Sequence, residues 1–126
     1  MRGLTLDTGA LIALERKDAR MNALLKRMLA HPEVAVHIPA GVVAQAFRNG
    51  SRQVRLVRLL KGRQTRIVNF DEDMALAAGV LLGLRRASDV VDASVVLCAR
   101  LYRQPIVTSD ADDLRRLDAR VELHTV

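Results

Sequence analysis

The sequence predicts a three-layer α/β domain with a central, mainly parallel sheet of about five strands flanked by helices. Along its 126 residues, short apolar runs of β type alternate with longer runs that have helical spacing. Strands separated by helices pair in parallel, and a parallel sheet is covered on both faces. The sequence has no internal repeat, linker or low-complexity tract. We therefore expect a single domain over residues 1–126.

Two strands and three helices are predicted in the first part of the chain. GLTLD (residues 3–7) is a strand, and the run ALIALER continues as a helix. Apolar residues at helical spacing predict a second helix over 18–30, which stops before His31-Pro32. VAVHIP (34–39) alternates as a strand that Pro39 ends. AGVVAQAFR then follows as a helix up to Asn49-Gly50.

Three further helices and three strands complete the prediction. Ser51 is the predicted N-cap of RQVRLVRLLK, with Gly62 directly after its end. DEDMALAAGVLLGL opens with three acids, as the helix dipole favours. Ser88 is placed to cap SDVVDASVVLCARLY. The remaining strands are RIVNF (66–70), PIVTSD (105–110) and ARVELHTV (119–126).

Composition excludes several classes of protein. Half of the residues are hydrophobic, which excludes long disordered stretches. No apolar run is long enough to span a bilayer, and MRGLTLDTGA lacks the features of a signal peptide. Cys98 is the single cysteine, so neither an internal disulfide nor a cysteine zinc site is expected. We expect Cys98 to be buried and the protein to reside in the cytoplasm.

Positive charge is concentrated in one segment. The net charge is +6, and no acidic residue occurs between Val34 and Phe70. A basic face for a polyanion and a solvated helix face both explain such a block. The segment contains Arg48, Arg52, Arg55, Arg58, Lys61, Arg63 and Arg66.

Four aspartates stand where strands and helices meet. Asp7 ends the first strand and Asp110 ends the fourth, and ligands of open α/β sheets bind beyond these carboxyl ends. Asp89 and Asp92 are three residues apart, on one helix face. Each of these residues could instead be a cap, a turn residue or a first-turn acid. Asp92, however, lies among valines and alanine that predict a buried helix, where a carboxylate needs a partner.

A hard divalent cation is a suitable partner for these acids. Mg²⁺ and Mn²⁺ prefer carboxylate oxygen and water. The three histidines, His31, His37 and His124, have no ligand spacing. An acidic cluster that binds such a cation beside an arginine-rich face is the chemistry of phosphodiester hydrolysis.

Four motifs follow one another and together cover essentially the whole chain, namely LTLDTGALIAL, IPAGVVAQAFR, SDVVDASVVLCA and PIVTSDADDL. In this order they resemble the PIN-domain family, and within it the VapC-type toxins of bacterial toxin–antitoxin pairs. The resemblance implies a Mg²⁺- or Mn²⁺-dependent endoribonuclease that cleaves RNA. It also implies a homodimer that a VapB-type antitoxin holds inactive.

The resemblance assigns roles residue by residue. Asp7, Asp92 and Asp110 match the metal-binding and catalytic acids of the family. Asp89 and Asp112 fall where many members have additional acids, and we expect Asp89 to join the catalytic metal group. Supporting hydroxyls are implied for Thr8 and Ser109. The arginines expected near the RNA path or the partner surface are Arg48, Arg52, Arg55 and Arg58.

Gln45 departs from the family pattern, which has Glu in the helix after the second strand. A Gln carbonyl can bind a metal or its water, but it has no charge and cannot act as a base. The alternative hypothesis is therefore a catalytically weakened PIN-like module that binds RNA or protein. Phosphotransfer and phosphatase domains are disfavoured, because Gly9 stands where such a phosphatase has its second Asp and no phosphate-binding glycine loop is present.

Overall fold

Five strands form one parallel sheet in the computed structural model, which describes residues 2–126. The strand order is β3-β2-β1-β4-β5, and every neighbouring pair is parallel. The predicted α/β architecture with about five strands is thus confirmed. The strands are β1 (Leu4–Leu6), β2 (Val36–Pro39), β3 (Thr65–Val68), β4 (Ile106–Thr108) and β5 (Leu123–Thr125).

Helices cover both faces of this sheet. Helices α1, α2 and α4 pack together on one face, and α5, α6 and α7 pack together on the other. None of the helices within residues 2–126 has both the length and the apolar character that a membrane span requires. The helices are α1 (Thr8–Glu15), α2 (Ala19–Leu29), α3 (Ala40–Ala46), α4 (Val54–Leu60), α5 (Glu72–Arg85), α6 (Val90–Tyr102) and α7 (Ala111–Leu117).

The core lies around the two central strands and helix α6. Every residue of β1 and β4 is buried, as expected for strands that are covered on both faces. Six residues of α6 are buried, including Cys98, whose burial was predicted. Burial raises the pKa of the Cys98 thiol to about 11, so this cysteine is an inert packing residue.

His37 belongs to a polar cluster inside this core. Its ring stacks on Tyr102 with a centroid distance of 3.6 Å, and its Nδ1 lies within hydrogen-bond distance of the Gln104 side chain. Gln104 also accepts a hydrogen bond from the Thr5 hydroxyl. Burial lowers the pKa of His37 and thereby favours the neutral ring. These contacts satisfy the side chain as a structural residue.

Two of the predicted helix caps are wrong. Helix α4 begins at Val54 rather than after Ser51, because the Gln53 side chain organises the preceding loop. The Gln53 amide accepts from the Arg48 N–H and donates to the Ala46 carbonyl, so α3 ends at Ala46. Gly62 does follow the end of α4, but it does not adopt a positive φ.

At α6 the N-cap is Asp89 and not Ser88. The Asp89 carboxylate accepts a hydrogen bond of 2.9 Å from the Asp92 N–H and so has the capping role that was predicted for Ser88. Helix α7 was not predicted at all. Its sequence, ADDLRRL, has acids in the first turn and arginines in the last, as the helix dipole favours, but it is only seven residues long.

Candidate functional site

The pairing of β1 with β4 places Asp7 beside the end of β4. Leu6 is paired with Val107, and the Asp7 N–H donates to the Val107 carbonyl over 3.2 Å. The acids that follow the two strands therefore meet at one edge of the sheet. They open onto a cleft of about 250 Å³, lined by Asp7, Thr8, Gly9, Ile12, Gln45, Val91, Asp92, Val95, Ser109 and Asp110.

Asp7 is both a helix cap and part of the cleft. Its carboxylate caps α1 by accepting a hydrogen bond of 2.9 Å from the Ala10 N–H. The residue is only 7% exposed. Burial raises the pKa of Asp7, and the negative charge of Asp110 adds to this effect, whereas hydrogen bonds from Thr108 and Ala10 oppose it. Capping and a functional role are thus compatible in this residue.

Asp92 is in the first turn of α6 and faces the cleft. Burial, followed by the negative charges of Asp89, Asp113 and Asp7, raises the pKa of Asp92 to about 6. Asp110 contributes in the same direction. No positive side chain separates these acids, because none of the residues that line the cleft is basic. The site therefore has excess negative charge that a cation would neutralise.

Asp89 and Asp112 do not line the cleft. Asp89 caps α6 and acts on the site through its charge. Asp112 is exposed on α7, and Asp113 is the neighbour that approaches the centre. A hydrogen bond with the Asp113 side chain is the largest cause of the raised pKa of Asp110. The supporting role of Asp112 was implied by the resemblance, and in the structure Asp113 has the larger effect on Asp110.

The polar side chains around the acids are fixed by close packing. The Thr8 hydroxyl donates a hydrogen bond to the Gln45 carbonyl oxygen, so these two predicted residues are in direct contact. A Cβ atom at Gly9 would lie 2.0 Å from the Ser109 Oγ, so the first turn of α1 can approach β4 only with glycine there. Gly41 similarly allows α3 to pack against Val91 of α6. These approaches bring α1, α3, α6 and β4 to one cleft.

Thr108 is a site residue that sequence reasoning missed. Its hydroxyl accepts a hydrogen bond of 2.8 Å from the Asp110 N–H and donates toward the Asp7 carboxylate. Thr108 is fully buried, whereas the predicted hydroxyl of Ser109 is on an exposed residue that lines the cleft. The signal in PIVTSD is position, because Thr108 is the last residue of a fully buried strand and directly precedes Ser109 and Asp110.

The ligand types in the cleft fit a hard divalent cation. They are carboxylates, hydroxyls and one amide carbonyl, without sulfur or imidazole. Within residues 2–126, no group of three His, Cys, Asp or Glu side chains is already drawn together as a set of metal ligands. The acids are nevertheless close enough to raise the pKa of Asp92 through their charges.

The predicted arginines lie outside the cleft lining. Arg48 donates to the carbonyls of Ala44 and Phe47, and Arg52 is exposed in the turn before α4. Arg55 and Arg58 belong to α4, where they line a different cavity of about 320 Å³. The apolar walls of this cavity include Leu25, Met28, Leu29 and Leu59.

The parallel sheet and its acidic cleft define a class of α/β proteins with a site suited to a divalent cation at the carboxyl ends of the central strands. The family model for the PIN domain matches residues 4–120. The chain belongs to the PIN-domain family. No curated protein matches it.

Several solved structures have the same fold, including the following three. FitAcB from Neisseria gonorrhoeae is 20% identical, with a TM-score of 0.69 over 97% of this chain and 96% of that one. VapBC2 from Rickettsia felis, bound to a DNA fragment from its promoter, is 18% identical, with a TM-score of 0.68 over 98% of both chains. A toxin–antitoxin complex from Klebsiella pneumoniae is 19% identical, with a TM-score of 0.71 over 97% and 96%.

The raised pKa of Asp92 predicts that the ionised carboxylate lowers the stability of the folded protein. A carboxyl with a folded-state pKa of about 6, above its usual 3.8, stabilises the fold when protonated, and this contribution is lost as the pH rises through about 6. We expect Asp92→Asn to raise the free energy of unfolding of metal-free protein at pH 8 by on the order of 1 kcal/mol, after allowance for solvent screening. The gain should vanish near pH 4, and urea denaturation at both pH values measures it.

Asp71→Asn is the control, because Asp71 is an acid at the start of a helix that does not line the cleft. Asparagine caps as well as aspartate, so this variant should match the wild type at both pH values. A destabilised Asp92→Asn protein at pH 8 would contradict the predicted repulsion.

Proposed function

We propose that the protein is a Mg²⁺- or Mn²⁺-dependent endoribonuclease, the VapC-like toxin of a cytoplasmic toxin–antitoxin pair. PIN domains are generally nucleases. The observation that carries the proposal is the cleft in which Asp7, Asp92 and Asp110 meet without a basic side chain. A family nuclease needs such a negative site, and a purely structural cluster of acids would be neutralised by lysine or arginine.

Asp7, Asp92 and Asp110 would hold the metal, with Asp89 acting through its charge. A divalent ion in such a site polarises the phosphodiester and lowers the pKa of a bound water. Thr108 orients Asp7 and the Asp110 backbone, and Asp113 hydrogen-bonds Asp110. Thr8, Gln45 and Ser109 offer hydroxyl and amide groups at the rim that can hydrogen-bond a phosphate.

The negative charge of the acids also controls when RNA can enter the cleft. Without a cation, their charge repels the RNA backbone, so substrate should enter the cleft only after the metal has been bound. Only three residues of the chain are aromatic, which is too few for a platform of stacked bases. Recognition would then depend on backbone charge and RNA shape.

Removal of one central acid tests the nuclease proposal. We expect Asp7→Asn to lower the rate of cleavage of defined tRNA and mRNA fragments on the order of 100-fold or more, because a metal ligand is lost while the cap is retained. EDTA should abolish the wild-type activity, and Mg²⁺ or Mn²⁺ should restore it. Asp18→Asn, at the cap of α2, is the control. Purified protein that leaves diverse RNAs intact in both metals would refute the proposal.

The competing hypothesis is a weakened PIN-like module, with Gln45 as the damaged position. Gln45 is not free in the cleft, because its carbonyl oxygen accepts the hydrogen bond from Thr8. This contact, together with the place of Gln45 in the cleft lining, favours a residue that is part of the site.

Gln45→Glu discriminates between these hypotheses. A glutamate could accept the same hydrogen bond from Thr8 and would add a fourth carboxylate to the cleft lining. If Gln45 is part of a working site, we expect the cleavage rate to change by less than about tenfold. A gain of about 100-fold or more would instead show that the natural chain is catalytically weakened.

The arginine-lined cavity supports an antitoxin partner. Its apolar walls and its rim of Arg55, Arg58 and Arg63 fit a peptide with both apolar and acidic side chains. RNA offers few apolar groups to such a surface. We therefore include in the proposal that this cavity binds a VapB-like antitoxin, and that the toxin is a homodimer.

Replacement of three arginines tests this assignment. We expect Arg55→Ala/Arg58→Ala/Arg63→Ala, which removes the arginines that line this cavity, to weaken binding of the cognate antitoxin at least about tenfold, measured by calorimetry, while RNA cleavage changes less than about threefold. Arg103→Ala/Arg115→Ala/Arg120→Ala removes the same charge elsewhere and serves as the control. Loss of cleavage with unchanged antitoxin binding would assign the arginines to RNA.

A further inference from the structure

A second cleft lies at the opposite end of the sheet from the acidic one. Its volume is about 210 Å³, and its walls come from the end of α6 and from the segments that precede β1, β4 and β5. The acidic cleft lies at the carboxyl ends of β1 and β4, so these two strands separate the two sites. The lining of this amino-end cleft includes Arg2, Arg100, Arg103 and Arg120.

The end of helix α6 does not by itself explain these four arginines. Cations are favourable at the carboxyl end of a helix, which accounts for Arg100 and Arg103. Arg2 and Arg120, however, belong to the loops before β1 and β5. Arginines from three separate segments therefore converge on one cleft, although like charges repel one another.

Two acidic residues of the amino-end cleft hold part of this cluster in place. The Asp118 carboxylate accepts a hydrogen bond of 2.9 Å from Arg100 Nε and another of 2.9 Å from the Arg120 N–H. Glu122 forms an ion pair with Arg2. The acids thus orient the loops and one side of the Arg100 guanidinium, whose terminal nitrogens still carry N–H donors.

The remaining positive charge determines which ligand the amino-end cleft fits. In the part of the chain that the structure describes, the side chains of Arg103 and Arg120 form no ion pair. Four arginines and two acids give the lining a net charge of +2. A phosphomonoester carries about −1.5 to −2 at neutral pH, whereas a phosphodiester or a carboxylate carries a single negative charge. The guanidinium fork also matches the oxygens of a phosphate.

The floor of the amino-end cleft is fixed by the core. Gln104 lines the cleft, and its side chain is held inward by a hydrogen bond of 2.9 Å from the Thr5 hydroxyl. Gly3 packs directly against this side chain, because a Cβ atom there would clash with the Gln104 amide. These contacts fix the backbone next to Arg2 and Arg103. A site that is ordered in advance loses less entropy when it binds a ligand.

We propose that the amino-end cleft binds a terminal phosphate group, with Arg103 and Arg120 as its principal ligands. Its volume of about 210 Å³ is below the roughly 300–1,000 Å³ of cavities that enclose drug-sized molecules, which favours a small anionic group. The phosphate belongs to a small phosphorylated molecule or to a phosphorylated RNA end. Binding requires neither a metal nor the acidic cleft, so the proposal is independent of the proposed nuclease activity.

Calorimetric titration of the full chain with inorganic phosphate, in the presence of EDTA, tests the proposal. EDTA keeps divalent cations out of the acidic cleft, so phosphate has no metal to bind there. We expect saturable binding with a Kd of about 1 mM or tighter, and binding at least about tenfold weaker for Arg103→Gly. A wild type that does not bind phosphate, or an Arg103→Gly protein that binds it equally well, would overturn the proposal.

Arg86→Gly is the matched control. Arg86 and Arg103 each directly follow a helix, with φ of 51° and 54°, where glycine is the favoured residue. Both substitutions remove one positive charge and suit the backbone, so both variants should keep or raise the melting temperature. Only Arg103 lines the amino-end cleft, and Arg86→Gly should therefore bind phosphate like the wild type. Equal losses in the two variants would indicate an effect of net charge alone and would overturn the site.

A pair of short oligoribonucleotides identifies the source of the phosphate. The two have the same sequence, and one has a terminal phosphate where the other has a hydroxyl. In EDTA, a preference of at least about tenfold for the phosphorylated RNA, lost in Arg103→Gly, would assign the site to RNA ends. Binding of inorganic phosphate without such a preference would assign it to a small phosphorylated molecule. Equal binding of both RNAs that depends on Arg103 would instead show recognition of the backbone and overturn the proposal.

Discussion

The parallel pairing of β1 with β4 is the constraint on which the cleft depends. Leu6 and Val107 are buried partners in this pair, and their pairing sets the positions of the residues that follow them. Asp7 is held further by its backbone bond to Val107, and the end of β4 by the bond between Thr108 and Asp110. Hydrophobic burial of two short strands thus determines the separation of two carboxylates.

The remaining acid, Asp92, opposes the stability that this packing provides. Its helix must approach the sheet closely, since α6 supplies much of the core, and the approach buries a charge next to other charges. A protein can tolerate this arrangement because the central strands supply apolar burial that exceeds the electrostatic cost. The ionised aspartates of the cleft therefore repel one another, although the sheet around them is well packed.

Much of this arrangement could be predicted from single residues. Asp7 and Asp110 could be recognised as site residues because each ends a short apolar run that predicts a strand. Asp92 could be recognised as one because its neighbours are valines and alanine. Asp113 and Thr108 could not be recognised, because each depends on a local geometry of one turn or one strand position. The seven residues of α7 gave too little periodicity to show that Asp113 rather than Asp112 faces Asp110.

The N-caps of α4 and α6 were predicted wrongly for a related reason. Ser51 and Ser88 are acceptable caps by residue type, but α4 begins only after Gln53, which makes no side-chain cap bond, and the Asp89 carboxylate caps α6. Gln53 satisfies the loop before α4 through local contacts with Arg48 and Ala46 and a contact with Glu15 that is distant in sequence. The contact with Glu15 forms only when α1 and the loop have come together. The apolar residues Leu76, Val80 and Leu84 of α5, by contrast, have helical spacing that can be read from the sequence. The sequence does not show that they are exposed.

The double use of Asp7 has an evolutionary consequence. A chain that lost its activity would still be under selection to fold, and selection for folding would keep Asp7 and Asp89 because both cap helices. It would not keep Asp92, whose ionised form destabilises the native state. Among descendants of this protein, the acid at position 92 should therefore disappear first when function is relaxed, and the caps should persist as relics of the fold.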